Sequence, residues 1–105
     1  MSNGKDEQRV VVAPAELDLE SRIAFRRDAV RAIEAMTAGA GILVVDLSAT
    51  RSVDSAGLGA LMLVQRRASE RRIAIRLRGL NEDLRFLLAL TKLEDLFEVE
   101  TTLRT

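Results

Sequence analysis

Short apolar segments alternate with longer amphipathic ones along most of the chain, and this alternation limits the folds available to it. Residues 9–13 and 42–46 are short and rich in valine, as buried strands are. Residues 73–77 alternate isoleucine and leucine with alanine and arginine, which predicts a third strand. A last edge strand is predicted at residues 98–102. Strands that alternate with helices favour a parallel sheet with the helices packed on it.

Three helices are predicted between these strands. The first covers about residues 21–37, where apolar side chains recur at intervals of three and four. The second follows the polar stretch at residues 47–55, and the third begins after Asn81, a favoured N-cap residue, and continues to about Leu90. The side of the second helix that faces the core is predicted to carry Leu58, Leu61, Met62 and Gln65.

The predicted class is α/β, with a mostly parallel or mixed sheet of four to five strands and helices packed on it. A chain of 105 residues holds one core, so we expect a polar tail at residues 1–8 and a single domain at residues 9–105. No apolar run approaches the roughly 20 residues of a membrane span, and the N-terminus has no signal-peptide pattern. We therefore expect a cytoplasmic protein without membrane insertion.

The residue types that the chain lacks exclude several kinds of chemistry. There is no Cys, His, Trp or Tyr, so no site of the usual zinc, haem or iron–sulfur kinds and no histidine-dependent hydrolase is expected. Only three Phe are present and the formal net charge is zero, which argues against nucleic-acid binding. We expect no catalytic residue, no bound metal and no cofactor.

Residues 53–59, V-D-S-A-G-L-G, lie between the central strand and the second helix, where sites gather in open α/β sheets. Asp54 and Ser55 can each cap the helix start. A dinucleotide fingerprint would need Gly in place of Met62, and a nucleophile elbow would need Gly in place of Val53 together with a His. The residues alone leave two readings open, a structural cap and a functional serine.

Residues 53–61, V-D-S-A-G-L-G-A-L, resemble the signature loop of STAS domains, as found in bacterial anti-sigma factor antagonists. Residues 15–18, A-E-L-D, resemble the G-E-L-D segment of the family, with Ala15 in place of Gly. Residues 42–48 resemble the strand before the loop, and residues 79–97 resemble the last helix and turn. One early strand is visible where the family commonly has two.

This resemblance implies a protein that is switched rather than one that catalyses. In the family, an anti-sigma factor that is also a serine kinase phosphorylates the serine after the loop aspartate, which here is Ser55. The unphosphorylated form binds the anti-sigma factor, phosphorylation ends binding, and a phosphatase restores it. The implied partner-binding residues are Asp18, Asp54, Ser55, Ala56, Gly57 and Leu58.

Two other functions stay open. A small STAS subunit could dock on a transporter ATPase, for example in bacterial lipid transport, or join a stress-sensing assembly, without phosphorylation of Ser55. A nucleotide-binding or hydrolytic enzyme has least support, because no phosphate-binding loop, metal cluster or base is present.

A dense run of arginines is either a solvated face or a docking patch for an acidic partner: Arg66, Arg67, Arg71, Arg72, Arg76 and Arg78.

Overall fold

The computed structural model describes residues 7–100, which form a parallel sheet with helices packed against one of its faces. Residues 1–6, most of the predicted tail, and residues 101–105 lie outside this description. In chain order the elements are β1 (Gln8–Val12), β2 (Glu16–Leu17), α1 (Arg22–Ala35), β3 (Ile42–Asp46), β4 (Ser52–Val53), α2 (Ser55–Glu70), β5 (Ala74–Arg78), α3 (Glu82–Thr91), a 3-10 turn (Leu93–Leu96) and β6 (Glu98–Val99).

The main sheet has four strands in the order β1, β3, β5 and β6, and each neighbouring pair is parallel. In β3, Leu43 and Val45 belong to the core under the helices, and Val44 is also buried, which agrees with the apolar sequence of this strand. The predicted α/β class is therefore confirmed, with β1 and β5 displaced by one residue from their predicted ends. Strand β6 is shorter than predicted, and residues 101–102 of that prediction lie outside the described residues.

A second, two-stranded ladder joins β2 to β4 in parallel, with Glu16 beside Ser52 and Leu17 beside Val53. The sequence prediction missed it, because strands of two residues are too short to show a period. The expectation of one early strand is therefore wrong, since both β1 and β2 precede α1. The ladder is the element that brings the segment after β1 to the start of α2.

Helices α1 and α2 lie side by side on the sheet. Along α1 and at its end, the buried residues Phe25, Ala29, Ile33 and Met36 follow the intervals of three and four that predicted this helix. The prediction for α2 is wrong in part: Met62 is 44% exposed and Leu58 is only half-buried. The prediction followed the large apolar side chains of the helix. The side of α2 that packs on the sheet consists mostly of smaller residues, which are Gly57, Ala60, Leu61, Val64 and Ala68.

Helix α3 begins as predicted. Asn81 is its N-cap, and its side-chain oxygen accepts a hydrogen bond of 2.8 Å from the Leu84 N–H. Leu84 and Leu88 complete the same core that α1 and α2 cover. Within residues 7–100, no helix combines the length and the apolar character that crossing a membrane requires.

The start of α2 is in direct contact with the backbone of β2. A Cβ atom on Gly57 would overlap the carbonyl oxygen of Leu17 and would stand 2.9 Å from a methyl carbon of Val53. Gly59, two residues further along the same helix, has open space where its Cβ would be. Position 59 therefore has room for a side chain and position 57 does not, so that of these two glycines only Gly57 is required by packing.

We expect Gly57→Ala to lower the free energy of unfolding by about 1–3 kcal/mol, because backbone must move to admit the methyl group. The matched control Gly59→Ala should raise it by about 0.5–1 kcal/mol, as alanine does at open helical sites. Urea unfolding followed by far-UV circular dichroism measures both, since the chain has no Trp or Tyr for fluorescence. Equal stability of the two variants would contradict this account.

Candidate functional site

The candidate site lies where β2 and β4 end and α1 and α2 begin. Strand β4 ends at Val53, Asp54 is the N-cap of α2, and Ser55 is its first residue. The prediction that the V-D-S-A-G-L-G segment lies between strand and helix is right only for Asp54, because Val53 belongs to β4 and residues 55–59 are the first residues of α2. In open α/β structures this edge is where backbone N–H groups of helix starts face solvent.

Asp54 is held in place by three hydrogen bonds. Its carboxylate accepts from the Gly57 N–H at 2.9 Å, and its carbonyl accepts from the Leu58 N–H at 2.9 Å. Its own N–H donates to the Leu17 carbonyl at 3.2 Å. Asp54 is thus the side chain that caps α2, and it joins the helix start to β2.

Ser55 takes no part in that cap. Its side chain is exposed, and within residues 7–100 its hydroxyl has no hydrogen-bond partner. The backbone N–H groups of Ser55 and Ala56 also have no acceptor in the described part of the chain. The site therefore presents a free hydroxyl beside two free N–H groups, at the positive end of a helix dipole.

Asp18 follows β2 and is engaged in the turn that leads into α1. One of its carboxylate oxygens accepts hydrogen bonds from the N–H groups of Ser21, at 3.0 Å, and Glu20, at 3.1 Å. The Ser21 N–H, helped by the Ser21 hydroxyl and the Glu20 N–H, lowers the pKa of Asp18 below its ordinary value. Asp18 is consequently a carboxylate at neutral pH, in a fixed orientation.

The structure brings Asp18, Asp54 and Ser55 to one corner. Leu17 pairs with Val53 in the ladder, so Asp18 and Asp54 follow as neighbours on adjacent parallel chains. Adjacent strands are roughly 4.8 Å apart, which places two negative charges at the same edge as the hydroxyl. The corner with the free hydroxyl therefore holds two carboxylates, together with Arg22, whose N–H donates to the Asp18 carbonyl at 2.9 Å.

The other predicted partner-binding residues are placed differently. Ala56 and Leu58 are half-buried, and Leu58 lines a small apolar space with Leu84 and Leu87 of α3. Gly57 is buried against Leu17, so it offers no side-chain surface and acts by letting the helix start approach β2. Sequence reasoning missed Leu17, whose carbonyl binds Asp54; its place in the A-E-L-D segment was the only available signal.

The arginine run does not form one surface. The Arg71 guanidinium donates to the Met36 carbonyl at 2.7 Å, at the end of α1. Arg76 pairs with Glu98 at 3.1 Å, and Arg78 pairs with Glu100, on strands of the main sheet. The exposed members of the run are Arg66, Arg67 and Arg72.

Within residues 7–100, no group of three or more acidic, Cys or His side chains is arranged to hold a metal ion. The polar groups that the site presents are a solvent-facing hydroxyl and the carboxylates next to it.

Comparison with solved structures shows a shared fold. An anti-sigma-factor antagonist (STAS) domain protein from Planctomyces limnophilus matches with a TM-score of 0.76 and 15% identity, over 90% of this chain and 82% of that chain. The Bacillus cell fate determinant SpoIIAA in its phosphorylated form matches with a TM-score of 0.66 and 18% identity, over 96% and 87%. Its unphosphorylated form matches at 0.63 and 16%, over 98% and 86%.

A sulfate transporter family protein from Wolinella succinogenes also matches, with a TM-score of 0.68 and 11% identity, over 84% of this chain and 69% of that chain. At these identities the likeness establishes the fold alone. A comparison with curated proteins gives no significant match. The family model described as "Mlab, STAS domain" matches residues 2–100, which is nearly the whole chain, and the protein therefore belongs to the STAS domain family.

Proposed function

We propose that this protein is a non-enzymatic anti-sigma factor antagonist that is switched off when an anti-sigma factor serine kinase phosphorylates Ser55. A phosphatase returns it to the binding form. The observation that carries the proposal is the exposed Ser55 hydroxyl, which is free at the first position of α2 while Asp54 supplies the cap. The proposal implies a bacterial cytoplasmic location, where sigma factors act.

A phosphate on Ser55 is compatible with the folded state. It would lie at the start of a 16-residue helix, beside the free N–H groups of Ser55 and Ala56. Helix starts favour anions because unpaired N–H groups and the dipole face them. The solved structures of SpoIIAA in phosphorylated and unphosphorylated forms share this fold, which supports a switch that leaves the backbone in place.

The same phosphate opposes partner binding for a local reason. It adds about −1.5 to −2 charges and three acceptor oxygens to a corner that already holds Asp18 and Asp54. A partner that covers this corner would have to remove water from a dianion, which is costly unless cations replace the water. Acidic groups on the partner would also be repelled. The switch therefore needs no refolding.

We expect Ser55→Ala to abolish phosphorylation by the cognate anti-sigma factor kinase, because it removes the only acceptor oxygen at this position. Intact-mass measurement after incubation with kinase and ATP reads out the added phosphate. The matched control is Ser52→Ala, which removes another exposed hydroxyl three positions earlier, in β4. Phosphorylation of Ser55→Ala to the level of the unchanged protein would disprove the assignment.

A second prediction concerns the charge itself. Ser55→Asp should keep the far-UV circular dichroism spectrum and unfolding midpoint, since acidic residues are accepted in the first turn of a helix. It should weaken binding to the anti-sigma factor by about tenfold or more, which corresponds to 1.4 kcal/mol. Titration calorimetry measures the affinity, with Ser52→Asp as the control of equal charge. Equal affinities for the two variants would refute the electrostatic explanation.

A second candidate function is docking on a transporter ATPase as a STAS subunit. The fold shared with a sulfate transporter family protein supports a role beside a transporter, and the matching family model bears the name Mlab together with STAS domain. In that case the corner formed by Asp18, Asp54 and Ser55 is a docking surface, and the hydroxyl remains unmodified.

Affinity purification of the tagged full chain from its native cells should distinguish the two functions. We expect a kinase-like anti-sigma factor in the eluate and phosphate on Ser55 in part of the bait, both measured by mass spectrometry. The bait carrying Gly57→Ala serves as a control, since it disturbs the corner without removing a polar group. Recovery of a transporter ATPase with unmodified Ser55 would favour the second function instead.

A further inference from the structure

A groove of about 490 Å³ runs between α1 and α2 on the outer side of the helical layer. Its apolar lining consists of Ile23 and Val30 from α1 and Leu63 from α2. Ile23 is 57% exposed, whereas Val30 and Leu63 are half-buried at the contact between the helices. The groove therefore has an apolar floor that no other element among residues 7–100 covers.

Arginines from both helices stand around that floor. Arg26, Arg27 and Arg31 come from α1, and Arg67 comes from α2. Glu34 is the one acidic side chain in the lining. Arg27 lies 3.4 Å from the exposed carboxylate of Asp28, a contact that water screens strongly, and the other three arginines have no ion pair within residues 7–100.

This concentration of positive charge is unusual for a chain whose formal net charge is zero. The four arginines of the groove are a different set from the arginine run at residues 66–78, and only Arg67 belongs to both. The planar donors of a guanidinium group match carboxylates well. Exposed arginines beside an apolar floor are complementary to an acidic and amphipathic partner.

We propose that the groove between α1 and α2 binds an acidic amphipathic helix of a partner protein. Such a helix places apolar side chains at positions i, i+4 and i+7 into a groove and keeps its charged residues at the rim. A membrane surface fits the shape less well, because Ile23 is the only exposed large apolar residue here and the rest of the floor is recessed.

The groove begins at Ile23, near the start of α1, and extends away from the corner that holds Ser55. Along α2, Leu63 and Arg67 lie roughly 12 Å and 18 Å beyond Ser55, at 1.5 Å per residue. The inference therefore does not depend on phosphorylation, and it holds for either function proposed above. A partner that engages both surfaces would contact α2 along most of its length.

The test uses the full chain and a fluorescein-labelled synthetic peptide of about five helical turns, with Leu at i, i+4 and i+7 and Glu at the flanking positions. Two comparison peptides have the same composition in scrambled order, or Lys in place of every Glu. Fluorescence anisotropy should show the acidic amphipathic peptide binding at least about tenfold more tightly than either. Its affinity should fall as salt is added.

Charge-reversal variants test the named arginines. Arg31→Glu and Arg67→Glu, one on each helix, should each weaken peptide binding by about fivefold, the upper range for an exposed ion pair. The matched control Arg85→Glu, on exposed α3 surface outside the groove, should leave the affinity unchanged. Far-UV circular dichroism and urea midpoints verify that all three variants are folded.

The apolar floor is tested in the same way. Ile23→Ser should abolish the preference for the amphipathic peptide over the scrambled one, whereas Leu90→Ser, which changes a side chain 65% exposed on α3, should not. Equal binding of the acidic and scrambled peptides, or equal effects of Arg31→Glu and Arg85→Glu, would overturn the proposal. Arginine-dependent binding to phosphatidylglycerol vesicles without peptide binding would overturn it in favour of a membrane. None of these results bears on phosphorylation of Ser55.

Discussion

The contact between the Leu17 carbonyl and the start of α2 determines the form of the functional corner. Leu17 is fully buried in a strand of two residues, and its carbonyl accepts a hydrogen bond from the Asp54 N–H. The same oxygen lies where a side chain at position 57 would be, so only glycine lets the helix begin there. Because β2 and α2 are in contact, Asp18 and Asp54 become neighbours and Ser55 is turned toward solvent.

Asp54 and Ser55 are both suited to cap α2, and in the structure Asp54 is the cap while Ser55 is exposed. Both are good N-cap residues, but the carboxylate of Asp54 reaches the Gly57 N–H and leaves the hydroxyl of Ser55 without a partner. Because Asp54 supplies the cap, a phosphate on Ser55 would leave the hydrogen bond between Asp54 and Gly57 in place. The order Asp-Ser therefore assigns the cap to position 54 and leaves an exposed hydroxyl at position 55.

How far the sequence predicts this structure depends on the length of each pattern. Strand β3 and helix α3 could be predicted because a run of apolar residues and an Asn N-cap act locally. The ladder of β2 and β4 could not, since each of its strands has two residues and shows no period. The buried face of α2 was misjudged for a related reason: close packing against the sheet favours small residues, which carry little weight in a hydrophobic pattern. The arginines near residue 71 are neighbours in the sequence but point to different parts of the surface. The arginines of α1 are distant from Arg67 in the sequence but lie beside it in the fold.

The parallel topology has a consequence for the order of folding. No two neighbouring strands of the main sheet are joined by a hairpin: residue 8 pairs with residue 42, and residue 42 pairs with residue 74. Each pairing must wait for a helix to form and for a long loop to close, which is entropically costly. The ladder of β2 and β4 has only two residue pairs, so its own hydrogen bonds offset little of the entropy lost when the loop closes. Its formation therefore depends on the rest of the sheet. The corner with Ser55 therefore depends on contacts between segments that are distant in the chain, and it forms only when those segments have come together.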